Sequence, residues 1–173
     1  MIITYNIFMN LFSAMKPDAV YESVKQIDLE DLRSRGIDTL LLDFDNTLGP
    51  DHATEPSEYS RECVDMLRNN GFRMCLVSNA KSGRSSGIAR SLDIPCITYA
   101  HKPNPSGIKR ALELMNATHS SACMVGDQIF TDVMAGRFAG CYTIMVERFS
   151  RKEIWYVALK RPLEKIVRLF GRF

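Results

Sequence analysis

Five short apolar runs, separated by segments with helical periodicity, constrain the fold of this chain more than any other sequence feature. The runs cover 39–43, 73–78, 94–99, 122–126 and 142–146. The helical patterns between them cover 56–69, 83–92, 104–116 and 129–138. Apolar runs without alternating polar residues are typical of strands buried on both faces of a parallel sheet. The alternation therefore predicts an α/β protein, a three-layer open parallel sheet with helices on both faces.

The length and charge of the chain limit its organisation and its partners. No internal repeat or linker divides the sequence, so we expect residues 1–173 to form a single domain. The net charge of +2 gives no general reason for binding nucleic acid, which is not an expected partner.

The apolar segment 1–15 lacks the basic start and the cleavage site of a signal peptide. It is also shorter than the roughly 20 apolar residues that span a bilayer. No C-x-x-C pair occurs among the five cysteines, which favours free thiols in a reducing compartment and disfavours a zinc site. We therefore expect a cytoplasmic protein without a transmembrane segment.

Polar residues follow the apolar runs at the points where the predicted strands end. Asp43 and Asp45 follow the first run, Ser78 and Asn79 the second, and Asp127 the fourth. The carboxyl ends of parallel strands meet at one edge of the sheet, where ligands bind in open α/β folds. Residues far apart in sequence are thus expected to form one pocket.

The residue types at this edge suit phosphoryl transfer. A carboxylate repels a phosphate dianion unless a cation offsets the charge, and hard divalent cations prefer carboxylate oxygens. Asp127 and Asp132 supply further carboxylates, and Lys102 supplies a cation. Of the pair Asp43 and Asp45, one carboxylate can attack phosphorus while the other exchanges protons.

Four segments, in this order, resemble the motifs of the haloacid dehalogenase (HAD) superfamily. They are DFDNT at 43–47, SN at 78–79, KP at 102–103 and GDQIFTD at 126–132. The stretches LLLDFDNTLGP, VSNA, KPNP and VGDQIFTDVMAG resemble its YqeG-like branch more specifically, over roughly residues 16–170. Relatives in that branch include phosphatases that act on phosphatidylglycerophosphate.

The resemblance implies a capless, Rossmann-like HAD core and a role for each motif residue. Asp43 would be the nucleophile, Asp45 the general acid and base, and Lys102 the residue that offsets negative charge. Ser78, with Asn79, would bind the transferring phosphoryl group, although Ser78 could also cap the following helix.

The same resemblance implies a Mg²⁺ site. Asp43, the backbone carbonyl of Asp45 and Asp127 would hold the ion. For Asp132 two alternatives stay open, since its carboxylate could reach the metal or pair with Lys102.

Two features point to a lipid substrate. The gaps between motifs are too short for an inserted cap domain, so the site should be open to large substrates. Residues 147–173 carry eight Lys/Arg against three Glu, a balance of 8 − 3 = +5. Within 155–173, an apolar stripe beside basic residues is typical of an amphipathic helix on an anionic membrane. The stripe comprises Leu163, Ile166, Val167 and Phe170, and it could instead pack on the domain.

The leading hypothesis is a phosphatidylglycerophosphate phosphatase of phospholipid biosynthesis, bound peripherally at the inner face of the membrane. One alternative is a phosphatase of a soluble sugar phosphate or nucleotide. The other is a non-catalytic factor that associates with ribosomes or nucleic acid.

Overall fold

The computed structural model describes residues 13–80, 83–149, 164 and 167–169. Six strands form one sheet in the order β1-β6-β5-β2-β3-β4, and every neighbouring pair is parallel. The strands are β1 Ala19–Tyr21, β2 Thr39–Leu42, β3 Arg73–Val77, β4 Cys96–Ile97, β5 Ala122–Gly126 and β6 Tyr142–Val146.

Helices connect the strands. In these ranges the α-helices are α1 Leu29–Ser34, α2 Glu58–Asn69, α3 Gly83–Ser91, α4 Ser106–Met115 and α5 Met134–Ala139. Short 3₁₀ turns cover Val24–Gln26 and His119–Ser121, and a π-helical turn, Ile129–Val133, runs directly into α5.

Side chains of successive strand residues enter two separate cores. Leu40 and Leu42 of β2 belong to the same apolar cluster as Leu67 of α2, whereas Leu41 belongs to the cluster that contains Ile108 of α4. This alternation is what the pleat of a strand imposes. The sheet is therefore the middle of three layers, and the predicted fold class is confirmed.

The edges of the sheet differ from the sequence prediction. β1 was not predicted, because its three half-buried residues give neither a long apolar run nor a clear alternation. β4 has two residues where the pattern predicted 94–99. The central strands, which are fully buried along β2 and β5, follow the prediction closely.

The predicted terminal segments lie mostly outside the described residues. From 1–15, Ala14 is buried and Met15 packs on an apolar cluster. From the predicted helix at 155–173, Glu164 is buried and Val167 packs on that same cluster, so this part of the stripe contacts the domain. In the parts of the chain that the structure describes, no helix has the length and apolar character needed to cross a bilayer.

Candidate active site

The centre of the site is an ammonium group shared between two buried carboxylates. Nζ of Lys102 lies 2.7 Å from Oδ1 of Asp43 and 2.7 Å from Oδ1 of Asp132. It also donates a hydrogen bond of 2.8 Å to the carbonyl oxygen of Val77, at the end of β3. The side chain of Lys102 is only 2% exposed, so these contacts are made away from water. Charge–charge contacts in such surroundings are strong.

The sheet brings three carboxylates together. Asp43 directly follows β2, Asp127 directly follows β5, and Asp132 lies in the π-helical turn. All three residues are buried, and they offer carboxylate oxygens within 4.8 Å of one another. Three hard oxygen donors beside one lysine leave an excess of negative charge, which is the donor chemistry that a divalent cation such as Mg²⁺ prefers. The residues present therefore fit a divalent cation, and Asp132, which belongs to this cluster, also pairs with Lys102.

Protonation at this centre is governed by burial and charge crowding. Burial raises the pKa of Asp43 well above its ordinary value, and the neighbouring carboxylates add to that effect while Lys102 opposes it. Burial alone would lower the pKa of Lys102, but Asp132 and Asp43 outweigh it and raise the pKa above its usual range. Lys102 is thus a permanent cation that Asp43 and Asp132 share.

Gly126 makes room for Asp132. A Cβ atom at residue 126 would overlap Cβ and Cγ of Asp132 and would lie 2.5 Å from its Oδ2. That same Oδ2 accepts a hydrogen bond of 3.1 Å from the backbone N–H of Gln128. The absence of a side chain at Gly126 therefore lets the Asp132 carboxylate lie against the end of β5.

Asp45 is held by an arginine that the sequence analysis did not single out. Arg84 of α3 makes a two-pronged ion pair with it, at 2.8 Å to Oδ1 and 2.6 Å to Oδ2. Arg84 also donates to the carbonyl oxygen of Ala53 at 3.0 Å, and the N–H of His52 donates to Oδ1 of Asp45 at 3.1 Å. The side chains of Arg84 and Asp45 are 15% and 24% exposed, so this ion pair lies at the solvent-facing rim of the site rather than in its buried centre.

A sequence signal for Arg84 did exist. It is the second residue of α3, and the N-terminal turn of a helix disfavours a cation because of the helix dipole. A cation at that position, just after the Ser78-Asn79 segment, indicates an anionic partner. The partner, Asp45, is 39 residues away in sequence.

Ser78 and Asn79 organise the loops around the centre. Oγ of Ser78 accepts hydrogen bonds from the N–H of Ala80 at 3.1 Å and from the hydroxyl of Ser85 at 3.0 Å. The amide of Asn79 binds the backbone of Lys102 twice, since its Oδ1 accepts from the N–H at 2.7 Å and its Nδ2 donates to the carbonyl at 3.0 Å. The Asn79 side chain therefore positions the lysine loop, and its contact with a phosphoryl group stays a prediction.

Four of the predicted residues thus lie in direct contact or within one small cluster: Asp43, Lys102, Asp127 and Asp132. The remaining predicted residues, Asp45, Ser78 and Asn79, lie at strand ends on the same edge. A nucleophilic carboxylate beside a buried cation and further carboxylates can support transfer of a phosphoryl group.

Comparison with known families assigns the class of protein. The family model of the haloacid dehalogenase-like hydrolases matches residues 51–140, which is 90 of the 173 residues. The chain belongs to this family of hydrolases.

Two curated relatives narrow the assignment. The chain is 27% identical over 149 residues to the probable phosphatase YqeG of Bacillus subtilis (strain 168), covering 86% of this chain and 87% of that protein. It is 24% identical over 173 residues to phosphatidylglycerophosphate phosphatase 1, chloroplastic, of Chlamydomonas reinhardtii, covering 92% of this chain and 64% of that protein. The predicted YqeG-like branch and the predicted enzyme class are confirmed.

A solved structure agrees on the fold. The cobalt-bound deoxy-D-mannose-octulosonate 8-phosphate phosphatase (YrbI) from Haemophilus influenzae superposes with a TM-score of 0.53 at 12% identity. The match covers 78% of this chain and 89% of that one. At this identity the likeness concerns the fold alone.

Proposed function

We propose that this hydrolase is a Mg²⁺-dependent phosphatase that forms an aspartyl-phosphate on Asp43. The observation that carries the proposal is the buried Asp43 carboxylate, in contact with Lys102 and clustered with Asp127 and Asp132. A bound Mg²⁺ would supply positive charge that offsets the repulsion between carboxylate and phosphate. Asp43, Asp127, Asp132 and the Asp45 carbonyl are the groups that would hold it.

In the first step, a carboxylate oxygen of Asp43 attacks phosphorus in line and the bond to the leaving alcohol breaks. Lys102 offsets the charge that spreads over the phosphoryl oxygens. The leaving oxygen takes a proton from Asp45, which must enter this step protonated and released from its ion pair with Arg84, and the alcohol departs.

In the second step, water attacks the phosphorus of the aspartyl-phosphate while Asp45 takes a proton from that water. Inorganic phosphate leaves and the Asp43 carboxylate is restored. Because Arg84 holds both Asp45 oxygens in an ion pair, proton exchange requires Asp45 to release at least one of those hydrogen bonds.

The proposed substrate is the phosphomonoester of phosphatidylglycerophosphate. Between Thr47 and Asn79 the chain forms a loop, α2 and β3, and the described residues between Ala80 and Lys102 form α3 and β4. Neither segment adds a domain among the described residues, which supports a substrate as large as a lipid head group. The name of the Chlamydomonas relative agrees with this substrate.

We further propose that the enzyme works peripherally at the cytoplasmic face of an anionic membrane. Leu169 is 77% exposed although it lies beside Val167, which packs on the domain. An exposed leucine in a basic segment could enter the interface of a bilayer. Liposome binding should therefore fall in a variant with Lys165 and Arg172 changed to Gln. The matched control also removes two cations, by Arg90→Gln and Lys109→Gln on the exposed faces of α3 and α4.

A panel of phosphate esters tests the substrate. With Mg²⁺, the purified protein should release phosphate from phosphatidylglycerophosphate in micelles faster than from sugar phosphates and nucleotides. Good turnover of a soluble ester with no release from the lipid would overturn the lipid assignment and leave the phosphatase assignment in place.

Transfer of labelled phosphate to the protein tests the intermediate. Asp43→Asn should abolish labelling, and Asp45→Asn should slow or trap the labelled species. If Asp43→Asn changes neither the phosphatase activity nor the phenotype of cells that depend on the protein, the catalytic proposal fails and the non-catalytic alternative gains.

A further inference from the structure

We propose that Glu164, in the C-terminal segment, is a positioning residue for the acidic site. This inference rests on the proposed metal-dependent function, because the groups it positions are the carboxylates that would hold the ion. Glu164 is only 5% exposed, although glutamate is almost never fully buried unless it is paired. Its Oε1 accepts a hydrogen bond of 3.0 Å from the backbone N–H of Ile129, 35 residues away.

Ile129 lies inside the loop that carries two of the clustered carboxylates. It follows Asp127 by two residues and precedes Asp132 by three. It begins the π-helical turn, where backbone N–H groups have no partner within the helix, and it is fully buried. Leaving a buried N–H without an acceptor is costly, so Glu164 stabilises the loop in this conformation.

Hydrogen bonds within the loop join the two residues that flank Ile129, Gln128 and Asp132. The N–H of Gln128 donates to Oδ2 of Asp132, and the N–H of Asp132 donates to the carbonyl oxygen of Gln128 at 3.0 Å. These bonds fix the distance between Gln128 and Asp132, but they do not anchor the loop to the rest of the protein. The contact from Glu164 to Ile129 supplies an anchor from outside.

Apolar packing holds Glu164 in place. Val167, three residues further on and on the same helical face, packs against the cluster of Ile129, Val133 and Met145. Arg168 makes an ion pair with Glu147, just past the end of β6. The C-terminal segment is thus attached to the loop through both a hydrogen bond and side-chain packing.

The consequence for the site concerns metal affinity more than folding. Groups that orient metal ligands from outside typically change metal affinity 10- to 100-fold when they are removed. Loss of the Glu164 acceptor should let the Ile129 end of the loop shift, and Asp127 and Asp132 would shift with it. We expect Mg²⁺ affinity to fall about tenfold or more.

Two substitutions of similar volume separate the hydrogen bond from packing. Glu164→Met removes the acceptor, whereas Glu164→Gln keeps an oxygen that can accept from Ile129. Arg168→Gln is the matched control, because the ion pair that it breaks joins the same segment to Glu147, past the end of β6. Binding of Mg²⁺ alone would be measured by calorimetry on the full chain, with the exchange rate of the Ile129 amide followed by NMR.

The expected result is weak Mg²⁺ binding and fast Ile129 exchange in Glu164→Met, with near-normal values in Glu164→Gln and Arg168→Gln. Equal Mg²⁺ affinity in Glu164→Met and the unchanged protein would overturn the proposal. If Glu164→Met does not fold, fast exchange of the Ile129 amide in the unchanged, folded protein would also overturn it. An unchanged protein that binds no Mg²⁺ contradicts the proposed function instead, and the exchange of Ile129 still tests the anchor.

Discussion

Ionic groups lie at both edges of the sheet, but among the described residues the buried acidic cluster at the carboxyl edge holds more acids than bases. At the amino edge, Asp18 accepts from Arg137 at 2.6 Å and from the N–H and hydroxyl of Thr143 at 2.8 and 2.9 Å. At the carboxyl edge, Asp43, Asp127 and Asp132 form a buried cluster, and Lys102 pairs with two of them.

The comparison shows how to separate a structural cluster from a functional one. One carboxylate, one guanidinium and two further donors satisfy each other, so the amino edge stabilises the fold and needs nothing more. Three buried carboxylates with one ammonium cost free energy until another cation joins them. An excess of one charge in a buried cluster is therefore a stronger sign of function than the presence of ion pairs.

The largest effect on kcat should come from removing the cation at the carboxyl edge. Removal of the cation at the amino edge serves as the comparison. Lys102→Met should lower kcat on the order of 10³-fold, because the metal ion alone would then offset the charge on Asp43 and the phosphoryl oxygens. Arg137→Met, its counterpart at the amino edge, should leave kcat within about twofold, as expected for a change away from the reacting groups. Steady-state kinetics at saturating Mg²⁺ measures both. Similar losses of kcat in the two variants would show that the two edges of the sheet do not differ in function.

A smaller loss should follow from crowding the carboxyl edge. Gly126→Ala places a methyl group where the Asp132 side chain lies, and a displacement of about 1 Å near the chemistry can cost about 10²-fold in kcat. Gly87→Ala, within α3, has open space around the new Cβ atom and is the control. Thermal unfolding of both variants checks that the fold is kept. Normal kcat in Gly126→Ala would mean that the position of Asp132 does not matter.

At the amino edge the expected effect is on stability alone. Asp18→Ala removes the acceptor of three hydrogen bonds and should lower the free energy of unfolding by about 2 kcal/mol, with kcat unchanged. Asp31→Ala, which breaks an exposed pair with Arg35 at the end of α1, should change the free energy of unfolding much less. Denaturant titration measures the difference. A large loss of kcat in Asp18→Ala would show that the two edges are coupled.

The smallest effect is a pH dependence of stability without metal. Because the pKa of Asp43 is raised in the folded protein, that protein binds the proton more tightly than the unfolded chain, whose aspartate pKa is about 3.9. This contribution is present below pH about 4 and is lost as pH rises through the raised pKa. In EDTA, the unchanged protein should therefore lose stability relative to Asp43→Asn as pH rises from about 4 to 7. If the difference in the free energy of unfolding between the two proteins stays constant across that range, the pKa of Asp43 is not raised in the folded protein.

The central part of the fold could be predicted from the sequence because it depends on local pattern. β2 and β5 are buried on both faces, so their apolar runs are continuous, and polar residues at their ends follow from topology alone. β1 could not be predicted in this way, since its residues are half-buried and its partner strand, β6, lies more than a hundred residues away.

The site was predictable as a set of residues and less so as a set of contacts. The motifs located Asp43, Lys102 and Asp132, but whether Lys102 reaches Asp132 depends on the position of the π-helical turn. Arg84 and Glu164 were missed because their partners, Asp45 and Ile129, are brought near only by the tertiary fold. Charge counting placed Glu164 in a basic tail and gave no sign that it is buried.

The two hydrogen bonds from Asn79 to the backbone of Lys102 have a consequence for engineering this protein. They join the two segments as the hydrogen bonds of a sheet join neighbouring strands. We therefore expect the lysine loop to keep its position when residues are inserted elsewhere at the rim. A designer who wished to give the site a lid would leave 79–102 intact and insert the new segment at Thr54 and Glu55. Both residues are exposed, and they lie just beyond the His52 and Ala53 contacts that hold the rim. An enzyme open to large substrates could in this way be restricted to small ones without altering its centre.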